Sequence, residues 1–336
     1  MKTFSLQGSI VALITPFQSD GAIDEQRLRE LVSWHVKSGT NAIVPCGTTG
    51  ESATLSHEEH HRVIDIVINE TQGRIPVIAG AGSNSTREAV SLTEHAREAG
   101  ADAVLSISPY YNKPTQQGII EHYKTLNEIG IPIIVYNVPG RTGINITAET
   151  TLKLAQMGNI VGIKEASGNM SQIMEILRDR PDGFRVYSGD DALAYPLMML
   201  GADGCVSVVA NEIPQEFSTM IQLCLETRSN IQKSDDNNAL SDENEQKNKY
   251  NHDEKNDRQE QFNKKHQNLK LKQGREIHFR YLKLMETNFI ETNPIPVKTA
   301  LELMGKIETN FRLPLTPMSK ENKEKLTQTL KQASLI

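Results

Sequence analysis

Lys164 closes the apolar run Val-Gly-Ile, and an amine in that place has two chemical fates. It can snorkel to water or pair with the neighbouring Glu165. Alternatively, burial or cationic neighbours disfavour its ammonium form and leave a nucleophile able to form a Schiff base. Other polar groups follow other apolar runs. Thr48 and Thr49 stand in PCGTTGES, Tyr110 and Tyr111 in SPYYN, Tyr136 and Arg141 in YNVPGRTG, and Gly189, Asp190 and Asp191 follow the run at 184–188.

The elements that must position these groups alternate in type. Short runs rich in Val, Ile and Ala lie at 9–14, 42–44, 76–79, 103–107, 133–137, 161–164, 184–188 and 204–208, each bounded by turn residues. Segments of helical period separate them. In DEQRLRELVSWHVKSG, Leu28, Leu31, Val32 and Val36 share a face and Gly39 marks the stop. SHEE at 56–59 reads as a capping box, Glu59 returning to the Ser56 amide. Eight such units predict a closed (β/α)8 TIM barrel at 1–225, with a small C-terminal helical region at 226–336. An open nine-strand sheet is the alternative. In the barrel, every polar group named above falls at the C-terminal face, where barrels of this kind place their chemistry.

Composition narrows the class further. The 36 Lys+Arg against 42 Asp+Glu give a net charge of -6, which argues against a nucleic-acid grip by bulk charge. No apolar run approaches the roughly 20 residues that span a bilayer. Three cysteines form no paired framework and fit a reducing compartment, so the expected location is the cytoplasm. One segment differs from the rest. Residues 229–273 hold 7 apolar side chains among 15 Asn+Gln and 18 charges, 9 of each sign. Such a stretch buries too little to offset its ordering entropy, which predicts a disordered or loosely helical polar insert.

Several motifs point elsewhere and are weak. His57-Glu58-Glu59-His60-His61 matches the zincin pattern H-E-x-x-H. It starts on a first helical turn, however, and no third ligand stands at a characteristic spacing, so no metal is expected. Gly80-Ala81-Gly82 lacks the third glycine of a dinucleotide turn. Cys46 and Trp34 read as packing residues.

GTTGES, SPYYN, YNVPGRTG, GIKEAS and NPIPVK (293–298) occur in the order and spacing of the dihydrodipicolinate synthase family, and from about Gly8 onward the chain resembles that family. The resemblance implies condensation of pyruvate with L-aspartate 4-semialdehyde, the first committed step of lysine and diaminopimelate synthesis, without a cofactor. By that resemblance Lys164 forms the imine with pyruvate. Tyr136, Thr48 and Tyr111 relay protons, Tyr111 being lent across a tight-dimer interface within a homotetramer. Thr49 holds the pyruvate carboxylate, Arg141 the semialdehyde carboxylate, and the backbone near Val206 is a further contact. A second set, Ser52, Ala53, His57, His60, Asn84, Glu88 and Tyr110, matches the family's lysine feedback site and implies inhibition by L-lysine. The rivals are another pyruvate aldolase, a non-catalytic barrel scaffold and a zinc hydrolase. PGRTG with Arg141, together with Tyr111, favours the synthase over the other aldolases.

Overall fold

The computed structural model describes the backbone of residues 5–244 and 254–336, and side chains outside 230–266. All eight expected strands form, as β1 (Gly8–Ala12), β2 (Ala42–Val44), β3 (Ile78–Gly80), β4 (Ala103–Ile107), β5 (Ile133–Asn137), β6 (Ile160–Glu165), β7 (Arg185–Ser188) and β8 (Gly204–Ser207). Between them run α1 (Glu25–Lys37), α2 (His57–Thr71), α3 (Thr86–Ala99), α4 (Gln116–Asn127), α5 (Pro139–Thr142), α6 (Ala148–Leu154), α7 (Met170–Asp179) and α8 (Ala194–Met199). The strands pair in parallel in the order β2-β1-β8-β7-β6-β5-β4-β3. A parallel bridge between Ile43 and Val77, with Gly80 N donating to Pro45 O at 2.9 Å, joins β2 to β3 and closes the ring. The (β/α)8 barrel therefore stands, and the open sheet does not.

Pleating sorts each strand into an inner and an outer set. Ile10, Val44, Ile78, Leu105, Ile134, Tyr136 and Val206 belong to an inner cluster. Val11, Ile43, Ala79, Val104 and Val135 pack outward against the helices. Gly162 allows β6 and β7 their close approach, since a Cβ there would meet Arg185 O at 2.6 Å.

Ser56 Oγ accepts from Glu59 N at 3.2 Å while Ser56 N donates to Glu59 Oε2 at 2.9 Å, the reciprocal capping box. Leu28, Leu31 and Val32 of α1 are buried as the period requires, and Gly39 takes φ +80° just past the helix. Val36 is only half-buried, and His35 is fully buried beside it. His35 Nδ1 lies 3.0 Å from Thr40 Oγ1, and burial pushes its pKa down to about 3, so the ring stays neutral and behaves as a core residue.

After the barrel come α9 (Pro214–Asn244), α10 (Glu254–Thr287), α11 (Ile295–Leu303) and α12 (Lys320–Gln332). α9 and α10 carry helix into the polar segment 229–273 from both sides, and 245–253 lie outside the described residues.

The face of the barrel opposite the polar strand ends carries a charge cluster. Asp203, its side chain fully buried, accepts from Arg185 at 2.9 Å, Gln7 at 2.9 Å and Val186 N at 3.0 Å, and it also pairs with Arg180. Burial alone would raise its pKa, but the Val186 amide, Arg180 and Gln7 hold the carboxyl below its usual value. Its contribution to stability is thus present above the ordinary carboxylate range and is lost only as pH falls through the lowered value. Asp203→Ala strands these partners and should cost about 3 kcal/mol at neutral pH, read from urea unfolding. A loss within error of zero would contradict this account of the barrel floor.

Candidate active site

Parallel registry brings the first two groups together. Tyr136 on β5 pairs with Lys164 on β6, so both side chains point into the barrel at its C-terminal end. Lys164 is 5% exposed, and its Nζ lies 4.2 Å from the centroid of the Tyr136 ring. Among the described residues it makes no ion pair. The neighbouring Glu165 points the other way and is occupied. It accepts from Asn137 Nδ2 at 3.1 Å, Ser167 N at 2.8 Å and Gln172 Nε2 at 3.0 Å. Burial pushes the Glu165 carboxyl up, and those donors hold it back. Neither alternative fate of Lys164, snorkelling or pairing with Glu165, is therefore realised.

Gly189 leaves the space that the lysine needs. A Cβ there would sit 2.6 Å from Ala166 Cβ and 3.0 Å from Lys164 Cε. A cavity of about 160 Å³ opens above Lys164, lined also by Thr48, Thr49, Tyr136, Arg141, Asp190 and Asn293. A small keto acid is the size of molecule it admits. Thr48 and Tyr136 offer hydroxyls, and Arg141 offers a guanidinium fork suited to a carboxylate. Asp191 is not among these groups. It is buried and accepts from Val208 N at 3.1 Å and Val209 N at 2.8 Å, which fixes the chain leaving β8.

Asn293, the first residue of NPIPVK, links two of these groups. Its Nδ2 donates to Thr49 Oγ1 at 2.9 Å, and its carbonyl accepts from Arg141 Nη2 at 3.3 Å. The C-terminal region thereby joins two groups that belong to different barrel loops. Asn137 anchors the other side of the Arg141 loop, its Oδ1 accepting from Ile146 N at 2.9 Å. The signal for Asn293 was present in its motif, but the partner lies 244 residues away in the chain.

A larger cavity, about 430 Å³, shares Thr48, Tyr136 and Arg141 and continues past Ser52, Ala53, His57, His60, Glu88 and Tyr110. His57 Nε2 lies 2.9 Å from Glu88 Oε1, and Ser83 also donates to Glu88. The Ser83 hydroxyl and His57 hold the Glu88 carboxyl below its usual value. His60 is buried, which lowers its pKa to about 4 and keeps the ring neutral. His61 faces away and stacks on His95 with centroids 3.6 Å apart, so the HEEHH residues do not converge on one point.

Three of the expected residues lie off both cavities. Tyr111 is 89% exposed, with φ +70°, and projects from the surface. Asn84 does not line the larger cavity, and its carbonyl accepts from Asn112 Nδ2 at 2.9 Å. Val206 sits within the inner barrel cluster below the site.

Comparison with known proteins follows the same line. A family model described as the dihydrodipicolinate synthetase family matches residues 5–240 and 255–333. The unmatched stretch falls inside the polar segment. The chain is 46% identical to a 4-hydroxy-tetrahydrodipicolinate synthase of Syntrophus aciditrophicus and 45% identical to one of Geotalea daltonii. Each comparison covers 98% of this chain and 99% of the relative. In structure it resembles a dihydrodipicolinate synthase of Aquifex aeolicus at 45% identity and a TM-score of 0.84, over 98% of this chain and 99% of that one. It also resembles a Cyanidioschyzon merolae enzyme with lysine bound, at 38% identity and a TM-score of 0.83, over the same shares. A relative described as a monomeric variant matches at 37% identity and 0.83, over 98% of both chains. With Lys164 enclosed at the end of β6 and full-length relatives at this level of identity, the chain belongs to the dihydrodipicolinate synthetase family.

Proposed function

We propose that this protein condenses pyruvate with L-aspartate 4-semialdehyde to give 4-hydroxy-tetrahydrodipicolinate, through an imine on Lys164. The observation that carries the reading is a buried lysine, without an ion-pair partner among the described residues, facing a cavity of keto-acid size with hydroxyl and guanidinium groups around it. The Lys164 amine attacks the pyruvate ketone carbon, and water leaves as the imine forms. A proton leaves the methyl carbon to give the enamine, whose carbon attacks the aldehyde. The semialdehyde's amine then attacks the imine carbon, closes the ring and returns Lys164 as the free amine. One water is released overall. Tyr136 and Thr48 serve these proton movements, Thr49 holds the pyruvate carboxylate, and Arg141 holds that of the semialdehyde. The Val206 backbone is a further contact near the pyruvate.

Tyr111 completes the relay only from a second copy of the chain. Its exposure, and its place outside the lining of its own cavity, support a tight dimer that exchanges this loop. The pairing of such dimers into a tetramer rests on the family resemblance. Three free cysteines, all buried, are in keeping with a cytoplasmic enzyme. Turnover with aspartate semialdehyde and none with N-acetylmannosamine is the expected assay result. The opposite pattern would give the chain to another aldolase.

L-Lysine is the proposed feedback inhibitor, bound in the larger cavity by Ser52, Ala53, His57, His60, Glu88 and Tyr110. Glu88 is kept charged and suits an ammonium group, for which the ligand competes with His57. Isothermal titration should show saturable heat with L-lysine. Glu88→Gln should weaken binding about tenfold by removing one charge-assisted hydrogen bond. Absence of heat, together with unaltered rates at millimolar lysine, would sink the regulatory half of the proposal.

A further inference from the structure

Near the site lies a fully buried charge pair that the proposed chemistry does not use. Lys298 on α11 and Glu51 have side chains 0% and 1% exposed, with Nζ 2.6 Å from Oε1. Nζ also donates to Asn310 O at 2.7 Å and lies 4.5 Å and 5.0 Å from the ring centroids of Phe17 and Phe311. Burial pushes the Glu51 carboxyl up and the Lys298 ammonium down, and each partner opposes the other's shift.

Glu51 occupies a particular place in the chain. It follows the GTTG turn that carries Thr48 and Thr49, and Ser52 and Ala53 come directly after it. Cys46 and Glu51, both at φ +54°, bracket that turn in the left-handed region, which a non-glycine residue holds only when its surroundings impose it. Glu51 N donates to Thr48 O at 3.2 Å, and Thr54 N donates to Glu51 O at 3.0 Å. Fixing the Glu51 carboxylate therefore fixes the backbone on both sides. A second fastening comes from the same C-terminal segment. Arg312 donates to Thr54 O at 2.8 Å and forks onto Glu59 at 2.7 Å and 2.5 Å.

We infer that Lys298, acting through Glu51, is a positioning residue that holds the GTTG turn in its pyruvate-binding conformation. The inference rests on the proposed roles of Thr48, Thr49 and Lys164. Removing one partner of a buried pair leaves a lone charge and destabilises, whereas replacing both by apolar groups of similar volume is often tolerated. Two variants therefore separate positioning from stability. Lys298→Met should lower the melting temperature. The double variant Glu51→Met with Lys298→Met should melt near the wild type.

The readout is borohydride trapping of the pyruvate adduct on Lys164, followed by mass spectrometry across pyruvate concentrations. Both variants should still form the adduct, with half-saturating pyruvate raised about tenfold because the turn is no longer held. A double variant that melts like the wild type and saturates at the wild-type pyruvate concentration would overturn the inference. It would reduce the pair to a structural contact. A wild-type protein that forms no adduct at all would instead overturn the reading of Lys164 on which the inference stands.

Discussion

Lys164→Arg lowers turnover on the order of 10³-fold or more, the scale on which loss of a covalent nucleophile is felt. Arginine keeps the charge and most of the length, so charge alone does not rescue the variant. Its guanidinium stays protonated and forms no imine with a ketone. The site has little room for the larger head group. Gly189 already permits a close approach to Lys164 Cε, and the cavity above it holds only about 160 Å³. The measurement is the initial rate with both substrates beside far-ultraviolet circular dichroism, which should be unchanged. Residual turnover within tenfold of the wild type would show that the chemistry does not pass through this amine.

Tyr136→Phe isolates the hydroxyl from the ring. The ring lies 4.2 Å from Lys164 Nζ, and phenylalanine preserves that cation–π contact and the inner-barrel packing. What is lost is the hydroxyl that we propose passes protons during imine formation and cyclisation. General acid–base groups contribute about 10²- to 10⁴-fold. We therefore expect kcat to fall about 10²- to 10³-fold, equivalent to about 3–4 kcal/mol of barrier. Half-saturating pyruvate should move far less, because Thr49 and the turn around it are untouched. An unchanged kcat with a raised KM would move Tyr136 from proton transfer to binding.

The barrel was legible because its signals are local. Strands at 42–44, 103–107 and 133–137 appear at the residues their composition indicated, and Ser56 caps with Glu59 as the pattern S-x-x-E requires. Strand ends elsewhere shift by one or two residues where a turn competes. The run at 76–79 pairs with β4 only from Ile78, since Pro76 has no amide and the Val77 amide goes to Asp102 Oδ2 at 2.9 Å. Lys164 was marked by its place after an apolar strand, and its proposed role by the five motifs around it. Periodicity cannot see groups satisfied across long sequence distances. His35 replaced Val36 on the buried face of α1 because Thr40 partners one ring nitrogen and burial keeps the ring neutral. Asn293 and Lys298 act on Thr49 and Glu51 across 244 and 247 residues, and only the fold brings them together. A lysine inside the apolar run IPVKTAL was a usable hint, because a charge buried there demands a carboxylate partner.

The central claim is that Lys164 carries pyruvate. Incubation with pyruvate and sodium borohydride, then proteolysis and peptide sequencing by mass spectrometry, tests it most directly. One reduced pyruvate adduct per chain is expected, on the peptide bearing Lys164, with activity lost in step with labelling. An adduct on a different residue, or an unmodified and fully active protein, would contradict it.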